Sequence, residues 1–217
     1  FATNHAPDDA GSTVADKVNE LFRLLRKNKV SAPPVAIATA YINPAGFSLL
    51  AEELEKATQV RLLLGAEPEE EVVRAISAED SDQDARRDTA IGNHQAWLEA
   101  ERDALGFERV PTANAKRMVE WLQSVDPEGK AKVEVRRFTG GFLHGKSYLV
   151  EDEAAQAAIA GSSNLTYAGL ALNAELNLGT GGGTNAAVKV REWFEHFWEQ
   201  SESFDLARLY ERLWDPH

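Results

Sequence analysis

The stretch Val35-Ala36-Ile37-Ala38-Thr39-Ala40-Tyr41-Ile42, followed by Asn43-Pro44 and then Val60-Arg61-Leu62-Leu63-Leu64-Gly65, constrains this chain more than any other. The first run is apolar and β-branched, as a strand covered on both faces should be, and Val60 to Leu64 reads as a second buried strand stopped by Gly65. Asn43 and Pro44 suit the start of a helix, because proline lacks an N–H that the first turn does not need. Phe47, Leu50, Leu54 and Ala57 give that helix an apolar stripe. A strand, a crossover helix and a second buried strand predict parallel pairing and an α/β fold with a central mixed sheet of six to seven strands and helices on both faces.

The remaining elements fit around this unit. Residues 1–12 are small and polar and read as a flexible N-terminal tail. Thr13-Val14-Ala15-Asp16 reads as a capping box with Asp in the usual Glu position. Val14, Val18, Leu21, Phe22 and Leu25 share a helical face, and Pro33-Pro34 stops that helix. Helical patterns recur over 91–105 and 112–124, strands are expected over 133–138, 146–150, 155–160 and 174–179, and Thr180 to Thr184 reads as a flexible turn. Val190, Trp193, Phe194, Phe197 and Trp198 form the stripe of a long helix, and a last helix covers 204–213. No internal repeat is evident. Residues 13–217 therefore read as a single domain, in keeping with about 100–200 residues per domain.

Composition narrows the chemistry. The formal charge is −12, so long-range attraction to a phosphate backbone is not a property of the whole surface. Half of it lies in residues 67–88, which carry nine acids and three bases and read as a short helix and a solvated loop. Between 130 and 180, five bases balance five acids. The acidity therefore belongs to the shell and does not veto a nucleic-acid substrate. With no cysteine, the chain has no disulfide, thiolate nucleophile or Cys-based zinc site. That agrees with a reducing, cytoplasmic setting. No apolar run approaches a membrane span, which needs about 20 residues. The opening Phe1-Ala2-Thr3, without an initiator Met or signal pattern, reads as a domain cut from a longer chain.

The chemistry concentrates in Leu143-His144-Gly145-Lys146-Ser147-Tyr148-Leu149-Val150 and Gly161-Ser162-Ser163-Asn164. On a strand, residues two apart project to one face, so His144 and Lys146 project together. Ser162 and Asn164 have the same spacing. An imidazole, a fixed cation and two neutral hydrogen-bonding groups suit a phosphoryl centre: cation and amide hold the oxygens while the imidazole attacks. Arg136 and Arg137 alternate, so at most one of the two faces the phosphate; Arg137 is assigned that place. Ser163 and Tyr148 read as turn and packing residues, and Tyr167 suits either a pocket wall or the core.

These residues resemble the HKD motif of the phospholipase D superfamily, His-x-Lys-x4-Asp followed by Gly-Ser-x-Asn. His144, Lys146, Gly161, Ser162 and Asn164 match it position by position, and the motif's acid falls on Glu151. Nucleases of the superfamily carry a Glu about eleven residues after the Asn, and here that residue is Glu175. The resemblance implies a metal-independent phosphodiesterase with no cofactor. His144 would form a phosphohistidine, Lys146, Ser162 and Asn164 would bind the phosphoryl oxygens, and Glu175 would orient His144. It also implies that two motifs make one site. This chain has one, and His5, His94, His196 and His217 lie outside any His-x-Lys frame. A homodimer pairing two His144 side chains is the simplest arrangement.

Within the superfamily, Leu62 to Pro68 and Gly161 to Leu170 are most similar to single-motif domains fused to, or encoded beside, helicases of bacterial restriction and defence systems. DNA is then the expected substrate and a helicase an expected partner. Two other readings stand beside this one: a phospholipase or phosphatidyltransferase, which normally has two motifs in a longer chain, and a non-catalytic module that docks DNA or a helicase. The acidic 67–88 segment reads as a solvated face, with a DNA-mimicking lid as the alternative.

Overall fold

The computed structural model of the protein describes residues 2–4, 12–27, 33–65, 109–141, 143–151, 157–181 and 184–214. The acidic 67–88 segment and the helical pattern at 91–105 lie outside the described residues.

The chain forms helix α1 (Val14–Lys27), strand β1 (Val35–Thr39), helix α2 (Pro44–Lys56) and strand β2 (Val60–Leu64) in the expected order. Helix α3 (Arg109–Leu122) and strands β3 (Val133–Arg137), β4 (Lys146–Val150) and β5 (Ala157–Gly161) follow. A single π-helical turn (Ala168–Leu172), strand β6 (Asn177–Thr180), helix α4 (Asn185–Glu199), strand β7 (Glu202–Ser203) and helix α5 (Leu206–Trp214) complete the described fold. The sheet order is β6-β5-β4-β1-β2-β3-β7. β1, β2 and β3 are parallel, with Ile37 opposite Leu62 and Leu62 opposite Val135, while β4, β5, β6 and β7 join antiparallel. This is the mixed α/β sheet that the βαβ unit predicts.

Local chemistry sets the helix starts. Asn43 Oδ1 accepts from Gly46 N at 2.6 Å ahead of Pro44. The Asp16 carboxylate accepts from Thr13 N at 2.8 Å, and Asp16 N donates back to Thr13 Oγ1 at 3.2 Å, a capping box with the shorter acid. Alternation then divides the sheet between two cores. Ile37, Leu62, Tyr148, Val150 and Ile159 pack on one side with Phe47, Leu50 and Leu54 of α2 and with residues of α1, α3 and α5. Ala36, Ala38, Leu63, Leu149 and Ala158 line the other side beneath Phe194 and Trp198 of α4. The alanines leave the depth that the large rings fill, and each fully buried Leu in these layers contributes about 2 kcal/mol. Among the described residues, no helix is long and apolar enough to cross a membrane.

Arg61 is the one charge on the β2 face beneath α4. Its guanidinium bonds both Glu151 and Glu195 and lies 5.0 Å from the centre of the Phe194 ring. Glu151 thus ties the end of β4 to β2 and α4. The two carboxylates hold the Arg61 guanidinium more firmly protonated than usual, against a burial cost, and Arg61 holds the Glu195 carboxyl below its usual range. Arg61→Ala would leave the carboxylates facing each other across an apolar wall. The expected loss is about 2–4 kcal/mol in urea unfolding at neutral pH. Glu195 is more acidic folded than unfolded, so its contribution is full above the unfolded carboxyl pKa and fades as pH falls through the lower, folded value. The gap between wild type and Arg61→Ala should shrink accordingly in acid.

Within the 1–12 segment expected as a tail, residues 2–4 are built into the fold. Ala2 is buried and pairs antiparallel with Asn177.

Candidate active site

One sheet edge gathers the site. β4 and β6 start there, and β5 and β1 end there, so Lys146, Gly161 and Asn177 stand opposite one another across three strands. His144 precedes β4 by two residues and is exposed, while Lys146 is buried in the first position of the strand. The residue between them must be glycine. A Cβ on Gly145 would lie 2.5 Å from the Trp193 ring, which covers this turn from the α4 side. Trp193 thereby packs directly on the Gly145 backbone just before β4. Gly145→Ala is expected to cost about 1–3 kcal/mol through overpacking, and the double variant with Trp193→Leu to recover most of it, both read from thermal unfolding.

Ser162 and Asn164 follow β5. Gly161 lets this strand press against β6, since an added Cβ would sit 2.3 Å from the Leu176 carbonyl oxygen. The Ser162 hydroxyl bonds the Glu175 carboxylate and accepts from Leu176 N at 3.1 Å. Asn164 turns its carbonyl inward: Oδ1 accepts from Ala40 N at 3.1 Å and from Tyr41 N at 3.3 Å. That anchoring fixes the amide plane and directs the NH2 end away from β1. The Thr39 hydroxyl reinforces it, accepting from Leu165 N at 2.9 Å and donating to the Tyr41 carbonyl at 2.7 Å. These bonds end β1 at Thr39, short of the Ile42 expected from its apolar pattern.

Ser163 links this turn to the core. Its backbone carbonyl accepts from the Tyr148 hydroxyl at 3.0 Å, and burial followed by the nearby Glu175 charge keeps that hydroxyl protonated well beyond its usual range. Ser163 Oγ accepts from the Asn177 amide at 2.8 Å, and Ser163 N donates to the same side chain at 3.3 Å. Tyr148 therefore packs, as expected, and also holds the turn. Thr39 and Asn177 escape motif reading. For Thr39 the signal in the sequence is a polar residue closing an apolar run; Asn177, buried in the first position of the edge strand β6, has no local signal.

His144, Lys146, Ser162, Asn164 and Glu175 thus share one edge. Arg137 lies at the same edge but on β3, three strands from β4 in the sheet order. It is buried, with its guanidinium 5.2 Å from the Phe204 ring centre, and burial lowers its pKa to about 10. Arg136 faces the other way and lies over Trp198 at 4.7 Å. The described residues hold no grouping of three or more His, Asp or Glu side chains suited to a metal ion.

A mixed sheet that presents His-x-Lys and Gly-Ser-x-Asn side by side defines a phospholipase D-like domain. Residues 31–198 match the protein family described as "Cardiolipin synthase, PLD-like domain", and the chain belongs to that family. No curated protein matches it. Among solved structures, it is similar to Nuc, a phospholipase D family member from Salmonella typhimurium, at 11 % identity and a TM-score of 0.46, covering 88 % of each chain. NucT from Helicobacter pylori is similar at 13 % identity and a TM-score of 0.47, covering 88 % of this chain and 92 % of that one.

Proposed function

We propose that this domain is a metal-independent phosphodiesterase that cleaves DNA through a phosphohistidine. The observation that carries the reading is the shared edge of His144, Lys146, Ser162 and Asn164, with the Asn164 carbonyl tied back to β1 so that its NH2 end serves substrate. A neutral His144 nitrogen attacks phosphorus and expels the leaving alkoxide, which takes a proton from a second imidazole. That imidazole then removes a proton from water, which attacks the phosphohistidine and releases His144. Lys146 and the Asn164 amide oppose the charge that builds on the non-bridging oxygens. Glu175, holding the Ser162 hydroxyl, sets that hydroxyl's direction.

The second imidazole is His144 of a second copy. The exposed Leu172 at the end of the π-helical turn, Leu176 just before β6 and Leu178 on β6 flank Glu175 in sequence, apolar side chains that support pairing there. The neutral balance around the motif and the acidity elsewhere favour a helicase partner that delivers DNA to the site in the cytoplasm. Denaturing quench at alkaline pH of a reaction on a labelled oligonucleotide, followed by peptide mass analysis, should find an acid-labile, base-stable phosphoryl adduct on His144. Cleavage that proceeds with His144 replaced would refute the mechanism.

A further inference from the structure

The N-terminal residues 2–4 touch the segment that carries the site, though some 170 positions separate them in sequence. Ala2 N donates to the Asn177 carbonyl at 3.0 Å, and its carbonyl accepts from Asn177 N at 3.0 Å and from the Asn177 side-chain amide at 3.1 Å. The same amide reaches Ser163, which stands between Ser162 and Asn164. Asn4 works on the other side of the segment. Its amide donates to the Gly169 carbonyl at 3.2 Å and the Asn173 carbonyl at 2.8 Å, and its Oδ1 accepts from Val14 N at 2.8 Å.

Gly169 lies in the first part of the π-helical turn and Asn173 caps its C-terminal end. That turn sets the path from Asn164 to Glu175, and its wide winding leaves end carbonyls that need outside donors. Asn4 supplies them and, through Val14, ties the turn to the start of α1. Ala2 closes the far end at Asn177, two residues beyond Glu175. The two contacts clamp the segment at both ends.

We propose that residues 2–4 are a positioning strap that holds Asn164, Ser162 and Glu175 in register for the reaction, acting through the π-helical turn and Asn177. The inference rests on the phosphodiesterase reading of the site. The strap touches no substrate group, so its removal slows the chemical step and leaves substrate affinity in place. A small displacement of an aligned group is costly in rate and cheap in stability.

Asn4→Asp and Asn4→Ala separate its parts. Asp keeps an acceptor for Val14 N but turns an oxygen toward the two carbonyls; Ala removes all three bonds. Asn19→Ala is the control: it removes a comparable tie between α1 and α2, Asn19 Nδ2 to the Leu49 carbonyl at 2.9 Å, remote from the site. With a single-stranded oligonucleotide substrate, both Asn4 variants should lose about tenfold in kcat with KM within twofold, while Asn19→Ala keeps wild-type kcat. Hydrogen exchange at the Leu170, Asn173 and Asn177 amides should quicken in both Asn4 variants. Wild-type kcat in the Asn4 variants, or an equal fall in Asn19→Ala, overturns the strap. If the wild-type protein itself does not cleave, the phosphodiesterase reading fails. The strap is then decided by exchange: faster exchange confined to those amides supports the clamp, and unchanged protection overturns it.

Discussion

Replacing His144 with alanine is expected to lower phosphodiester cleavage by a factor of about 10³ or more, because the proposed mechanism uses this imidazole both as the covalent nucleophile and, from the second copy, as the general acid and base. Stability should barely move. His144 is exposed and outside both cores, so its truncation opens no cavity. The combination is diagnostic: loss of rate with an unchanged unfolding midpoint. Lys146→Ala makes the contrast, since that side chain is buried and its loss should cost both activity and stability. A His144→Ala protein that cleaves at a wild-type rate would remove the imidazole from the mechanism.

The second large effect concerns pairing. Leu176 and Leu178 are 65 % and 56 % exposed, far more than apolar side chains of this size gain from in an isolated molecule. Both belong to the segment entering or forming the edge strand next to Glu175. Leu176→Glu with Leu178→Glu would place four carboxylates at a two-fold contact made there. Light scattering should then report a monomer where wild type reports a dimer, and cleavage should fall to the level of His144→Ala. Because both positions are exposed, the fold should hold, as far-UV circular dichroism would record. A wild-type protein that stays monomeric at high concentration would contradict the paired site.

The sequence made the sheet and the chemical residues legible for different reasons. Val35 to Thr39 and, apart from Arg61, Val60 to Leu64 are largely apolar because both faces of those strands are covered, so the apolar runs placed them, though not where the first one ends. His144, Lys146, Ser162 and Asn164 stood out by residue type and two-residue spacing, although β4 begins at Lys146 and β5 ends at Gly161, so His144, Ser162 and Asn164 lie just beyond the strands expected to carry them. What stayed hidden depends on contacts between distant parts of the chain. Thr39 ends β1 because its hydroxyl and the Asn164 carbonyl take over the local hydrogen bonding, which no local pattern encodes. The π-helical turn is built from an ordinary apolar run, Ala168 to Leu172, and is tied by Asn4 at Gly169 and Asn173. Ala2 and Asn4 look like tail residues in sequence, since their partners lie some 170 positions away. Arg137 shows the limit of alternation: it gives the face of a strand but not how many strands separate two residues.

The most direct measurement is the rate at which the purified protein cleaves DNA oligonucleotides, single- and double-stranded, in excess chelator. The expected result is cleavage at the same rate with and without chelator, lost in His144→Ala. Folded, dimeric protein that cleaves neither substrate, or cleaves only when a divalent metal is supplied, would contradict it.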